Sequence, residues 1–168
     1  MKKVLKKMLQ YMWIGILVIV VPCLIKARTP DPDTFFLAAT GRYIVETGVV
    51  PTVNPFVIHD NFGIIVQQWL FDVLVYRIYD SFGNEGLFVF VTLTYTFAMV
   101  LLYKYFGLFT KNRLLKNIVL LVSGILYVGY AVVRPTCISF IILLLLLYCM
   151  ERYRRTGKLI YMAVLPIL

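Results

Sequence analysis

Few side chains in this 168-residue chain can do chemistry, and they are unevenly placed. Asp31-Pro32-Asp33 sets two carboxylates two residues apart, just before the aromatic pair Phe35-Phe36. A carboxylate held at a helix start can take a proton from an attacking hydroxyl. The Asp-x-Asp spacing also allows a divalent metal, with only these two carboxylates as ligands. Arg134 stands alone between two apolar stretches, and its fork of donors suits a phosphate. Arg42 is a second phosphate candidate, although Glu46 four residues later offers it a helical partner. His59-Asp60 reads as a polar turn able to contact a ligand. With a single histidine and no Cys-x-x-Cys pattern, no histidine or cysteine metal site is written in the sequence, and Cys23, Cys137 and Cys149 read as small buried hydrophobes.

The elements that position these residues are apolar. Hydrophobic residues make up 61% of the chain and the mean hydropathy is +0.87, far above an ordinary soluble domain. Met8 to Ile25, Gly86 to Tyr103, Asn117 to Val133 and Pro135 to Met150 contain no charged residue or histidine. Each approaches the roughly 17–25 apolar residues of a membrane span, and a fifth begins at Leu159. The first is too long for a signal-peptide core and no small-x-small site follows it, so it reads as a retained helix. The expected fold class is an all-α polytopic transmembrane helix bundle forming a single membrane domain, 1–168. The stop inside an apolar stretch at Leu168 suggests a fragment, the amino-terminal part of a longer protein, or a truncated reading frame.

Charge sets the expected orientation. The net charge is +9, and twelve of the 17 basic residues fall in three clusters: Lys2 to Lys7, Lys104 to Lys116, and Arg152 to Lys158. All flank predicted spans, as cytoplasmic ends do, which makes a nucleic-acid partner a poor explanation of the charge. The stretch Ile64 to Tyr79 tempts a span but carries Gln67, Gln68, Asp72 and Arg77. Asp or Arg alone at mid-bilayer costs roughly 2.5–3.5 kcal/mol. Leaving it on the surface makes every basic cluster cytoplasmic and puts seven of the eight acidic residues outside. The expected localisation is the cytoplasmic (inner) membrane, multi-pass, with the amino terminus in the cytoplasm.

Residues 26–85 then form one outer loop with two surface helices. The first is expected after Asp31-Pro32, with Asp33 as N-cap and Gly48 as C-cap, and with Phe36, Leu37, Thr40, Tyr43 and Ile44 on its apolar face. In that case Asp33 competes between capping and chemistry, and Asp31 is a turn residue before proline. Pro51, Asn54-Pro55 and Asp60-Asn61 mark turns. The second surface helix, Ile64 to Tyr79, is expected to turn Val66, Trp69, Leu70, Val73 and Leu74 to one side, with Trp69 as the interfacial anchor.

The order of Asp31-Pro32-Asp33, Phe35-Phe36, Gly41-Arg42-Tyr43-Ile44, Gly48, Pro51, Asn54-Pro55-Phe56 and Gln68-Trp69-Leu70 resembles the first outer loop of GT-C class membrane glycosyltransferases. These are related to dolichyl-phosphate-mannose mannosyltransferases and oligosaccharyl transferases, and the likeness is to uncharacterised bacterial members. Arg134-Pro135 on the next outer turn fits as well. Asn54 and Gln68 depart from the Asp and Glu expected there. The resemblance implies a glycosyltransferase of the cell envelope that moves a sugar from a polyprenyl-phosphate donor to an acceptor on the outer face, with membrane lipid as its surroundings. Asp33 would be the base and Asp31 the second choice. Arg134 and Arg42 would hold donor phosphate, and His59 and Asp60 would contact acceptor. A noncatalytic membrane subunit, a polysaccharide polymerase and a transporter or flippase remain alternatives, the last disfavoured by spans almost free of charge.

Overall fold

The structure, a computed structural model, describes residues 30–58 and 62–163. The expected first span, Met8 to Ile25, together with Cys23, His59 and Asp60, lies outside the described residues. Those described are mainly helical: α1 (Pro32–Thr47), α2 (Trp69–Phe109), α3 (Arg113–Val128), α4 (Thr136–Thr156) and the short α5 (Ile160–Ala163). The one β feature among them is an isolated antiparallel bridge between Val53 and Gly63. They fall into two compact units, a loop unit (Thr29–Phe90 with Val133–Pro135) and a span unit that includes Val91–Val132 and the chain from Thr136 on.

In the loop unit, α1 starts two residues earlier than the sequence suggested. Asp31, not Asp33, is the N-cap: its Oδ1 accepts from the Thr34 backbone N–H at 3.1 Å and from Thr34 Oγ1 at 2.6 Å. Pro32 explains the shift, because it has no N–H to leave unpaired and its fixed φ suits the first helical position. Gly48 closes the helix as expected, at φ 72, donating its N–H to the Ile44 carbonyl. The buried face consists of Thr34, Leu37, Ala38, Thr40, Gly41 and Ile44. Phe36, expected inside, is exposed, so the inward stripe is rotated towards the small residues.

Gly41 gives the reason. A Cβ there would lie 2.0 Å from the Asp72 carbonyl oxygen and 2.9 Å from the Tyr76 Cβ, so α1 and α2 approach backbone to backbone. Only a stripe of small residues allows such an approach. The second surface helix begins at Trp69 rather than Ile64, because Ile64 donates its N–H to the Thr52 carbonyl and belongs to the bridged loop. Phe71, Asp72 and Val75 face inward, whereas Trp69, Leu70 and Leu74, expected together on one side of a surface helix, are exposed.

The helix α2 continues to Phe109, but Gly83 breaks it at φ 61, ψ −154, a conformation open essentially to glycine. The break separates a polar arm, 69–82, from 84–109, which contains the uncharged stretch. α2 and α4 are the two described helices long and apolar enough to cross a membrane. At 21 residues α4 reaches about 32 Å, close to the roughly 30 Å hydrocarbon core. The third stretch folds as the 16-residue α3, about 24 Å long and short of that thickness. Within the span unit Tyr95 stacks on Tyr127 and donates its hydroxyl to the Gly124 carbonyl at 2.9 Å, tying α2 to α3. Tyr127 meets Phe140 edge-on at 4.9 Å, tying α3 to α4. Cys137 and Cys149 are buried and not in a disulfide, matching the bland reading of these thiols.

Candidate functional site

The start of α1 and the turn before α4 bring three of the singled-out residues together inside the loop unit. Arg134 Nη2 stands 3.1 Å from Asp31 Oδ2 and pairs as well with Asp33 Oδ2. The partners are 103 and 101 residues apart in sequence. The two carboxylates differ in freedom. Asp31 has its Oδ1 committed to Thr34 and a side chain only 16% exposed, so it holds the helix start and the arginine in register. Asp33, in the first turn, contacts Arg134 and is 61% exposed, which leaves it open to a ligand. Capping, the competing role for Asp33, falls to Asp31.

A guanidinium nitrogen occupies the place where the carboxylates converge, an arrangement that does not fit a divalent metal between them. Among the described residues no group of three or more His, Cys, Asp or Glu is placed to hold a metal ion. Arg42 does not join this cluster. Its Nε donates to Glu46 Oε1 at 2.7 Å, and that hydrogen bond raises its pKa further above the ordinary value. Asn54 accepts from the Phe56 N–H at 3.0 Å and so forms an Asx turn, a role that asparagine fills as well as aspartate.

Two further features of the loop unit were not singled out from sequence. An open cleft of about 660 Å³ runs between α1 and the arm, lined by Phe35, Ala38, Ala39 and Arg42 on one side and Tyr76, Tyr79, Asp80 and Gly83 on the other. The spacing 76, 79, 80, 83 marks one face of a helix and could have revealed it. Phe35 meets Tyr79 edge-on at 6.3 Å at its wall.

The other feature is Asp72, which lies on the arm before the break and outside the uncharged stretch 86–103. It is 1% exposed, and its Oδ1 has no hydrogen-bond partner among the described residues. Burial pushes its carboxyl up to about 6. No sequence signal distinguished it from the exposed Arg77 and Asp80, because helix rotation alone decides which polar residue faces α1. Comparison with protein-family models, with curated proteins and with solved structures finds no match for this chain.

Proposed function

We propose that this chain is a membrane glycosyltransferase of the GT-C type, transferring a sugar from a polyprenyl-phosphate donor to an acceptor hydroxyl on the outer face. The observation that carries this reading is the convergence of Arg134 with Asp31 and Asp33 at the start of α1. An exposed carboxylate beside a guanidinium is the minimal pair such a transfer needs. Asp33 accepts the proton of the acceptor hydroxyl as its oxygen attacks the anomeric carbon, and the bond from that carbon to the phosphate oxygen breaks. Polyprenyl phosphate leaves with the bonding electrons, its negative charge held by Arg134, and the anomeric configuration inverts. Asp31 keeps Arg134 aimed while Asp33 changes its protonation.

Topology supports a lipid-borne donor. The arm carries Asp72, Arg77 and Asp80 and lies on the outer surface, and Gly83 lets 84–109 turn into the bilayer, whose core its roughly 39 Å exceeds. With α3 and the residues that follow it to Val133 crossing outward and α4 returning, every basic cluster is cytoplasmic and the acidic loop unit is outside. Nucleotide sugars are cytosolic, so an outer site takes its sugar from a lipid carrier.

Two experiments test this. Asn84→Cys should react with an impermeant thiol reagent from outside intact cells, and reaction only after permeabilisation would reverse the topology. Reconstituted chain given polyprenyl-phosphate [14C]hexose and a panel of envelope acceptors should release polyprenyl phosphate. Asp33→Asn should lower that release by roughly 10²–10⁴-fold with helix content unchanged. Release within about twofold of the parent would make the three residues a structural ion-pair cluster.

A further inference from the structure

The most strongly charged surface among the described residues lies in the span unit. Four stretches contribute to it: Lys104 and Phe109 from α2, Lys111, Arg113 and Lys116 from the turn and start of α3, Arg152, Arg154 and Arg155 from the end of α4, and Lys158 before α5. Aromatic contacts gather them at one end. Lys116 Nζ sits 4.7 Å above the Tyr103 ring, the Arg155 guanidinium 5.3 Å above Phe109, and that of Arg152 5.2 Å above Tyr161, to whose hydroxyl it also hydrogen-bonds.

We propose that this basic end binds the phosphate headgroups of anionic phospholipids in the adjoining leaflet. Eight cations face one carboxylate, Glu151, which is held by Arg154 at 2.7 Å and Arg155 at 2.6 Å. Lys104, Lys111, Arg113 and Lys158 are exposed and have no ion pair among the described residues. The start of α3 adds to the positive potential. It is capped by neutral Asn112, whose side chain accepts from Leu114 and Leu115, and its first turn holds no acidic residue.

Large apolar side chains stand among these cations: Phe109 is 53% exposed, Leu114 66% and Leu159 73%. A soluble polyanion would leave them in water. A leaflet satisfies both, with acyl chains against the apolar groups and phosphates against the cations, whose aliphatic stems reach between. The proposal rests on the membrane-crossing reading and is independent of the transferase reading.

The test uses the full chain purified in dodecyl maltoside with equal amounts of phosphatidylglycerol and phosphatidylcholine, bound lipid being counted by native mass spectrometry. Phosphatidylglycerol should be retained about tenfold or more over phosphatidylcholine. Lys111→Gln/Arg113→Gln/Lys158→Gln should bring the ratio to about parity with circular dichroism unchanged, and Arg77→Gln should leave it intact. Equal retention by the parent, or an undiminished preference in the triple variant, overturns the proposal. So does displacement of phosphatidylglycerol by inorganic phosphate in roughly tenfold excess, which would mark a soluble-anion site.

If the triple variant fails to fold, a salt series on the parent decides. The preference must fall steeply between about 50 and 500 mM salt, and a salt-independent preference overturns it. Labelling of Lys111→Cys from outside intact cells would overturn the orientation, whereas lipid preference is read in detergent and is scored separately.

Discussion

Gly41→Ala probes the contact that sets the geometry of the loop unit. In an isolated helix this change is favourable, because alanine is better than glycine by about 1 kcal/mol in a helix interior. Here the added Cβ would lie 2.0 Å from the Asp72 carbonyl oxygen, whereas ordinary contact begins at 3.4 Å. The arm must therefore retreat by about 1.4 Å (3.4 minus 2.0), and the obstacle is backbone, which cannot rotate away. Overpacking of this kind costs about 1–3 kcal/mol, so the net effect is a loss of up to about 2 kcal/mol, a fall of a few degrees in Tm. Because α1 carries Asp33, a displacement of about 1 Å should also lower transfer by around 10²-fold. Gly107→Ala is the control: no atom lies within 4 Å of its added Cβ, so it should raise Tm slightly. Thermal unfolding of both variants in detergent checks the signs. A Gly41→Ala protein more stable than its parent, as Gly107→Ala should be, would refute the close approach of α1 and α2.

Asp31→Ala should destabilise the protein by about 1 kcal/mol through loss of the cap, and Asp33→Ala by a few tenths only, as denaturant titration of the two variants will show. Arg134→Lys should retain part of the affinity for polyprenyl-phosphate sugar and Arg134→Gln much less, because fork geometry and then charge are lost; equal affinities in a binding titration would remove the phosphate role. Asp72 supplies a pH dependence. Its folded pKa of about 6 exceeds the ordinary value of 3.8, so the folded state keeps its proton between these values while the unfolded state loses it. The stabilising protonation is fully present below about pH 4 and is lost as pH rises through 6, a decline of up to about 3 kcal/mol. Asp72→Asn should abolish that slope and raise stability at pH 7–8, and an unchanged pH profile of unfolding would show that Asp72 is solvated.

Composition and local chemistry were legible without coordinates. Uncharged runs and hydropathy mark helices suited to a membrane because lipid leaves the backbone no partner outside the helix, and α2 and α4 are such helices. Gly48 ends α1 because its positive φ suits glycine alone, and Asn54 forms its turn because the amide reaches its own backbone two residues on. Where a choice hung on one residue's neighbours, the sequence pointed elsewhere. Asp31 took the cap because Pro32 fits the first helical position, and Phe36 turned outward because Gly41 admits the arm so closely.

Helical spacing ranks the faces of an amphipathic segment only by apolarity, and the face that packs here is the small one. The meeting of Arg134 with Asp31 and Asp33 was beyond any reading of local pattern. About a hundred residues separate the partners, and only the folded path of the chain between them brings one guanidinium to two carboxylates. Likewise, burial of Asp72 beside the exposed Arg77 depends on the rotation of one helix against another. Sequence fixes the residues available for such contacts, and tertiary packing selects which of them lose water and which find partners.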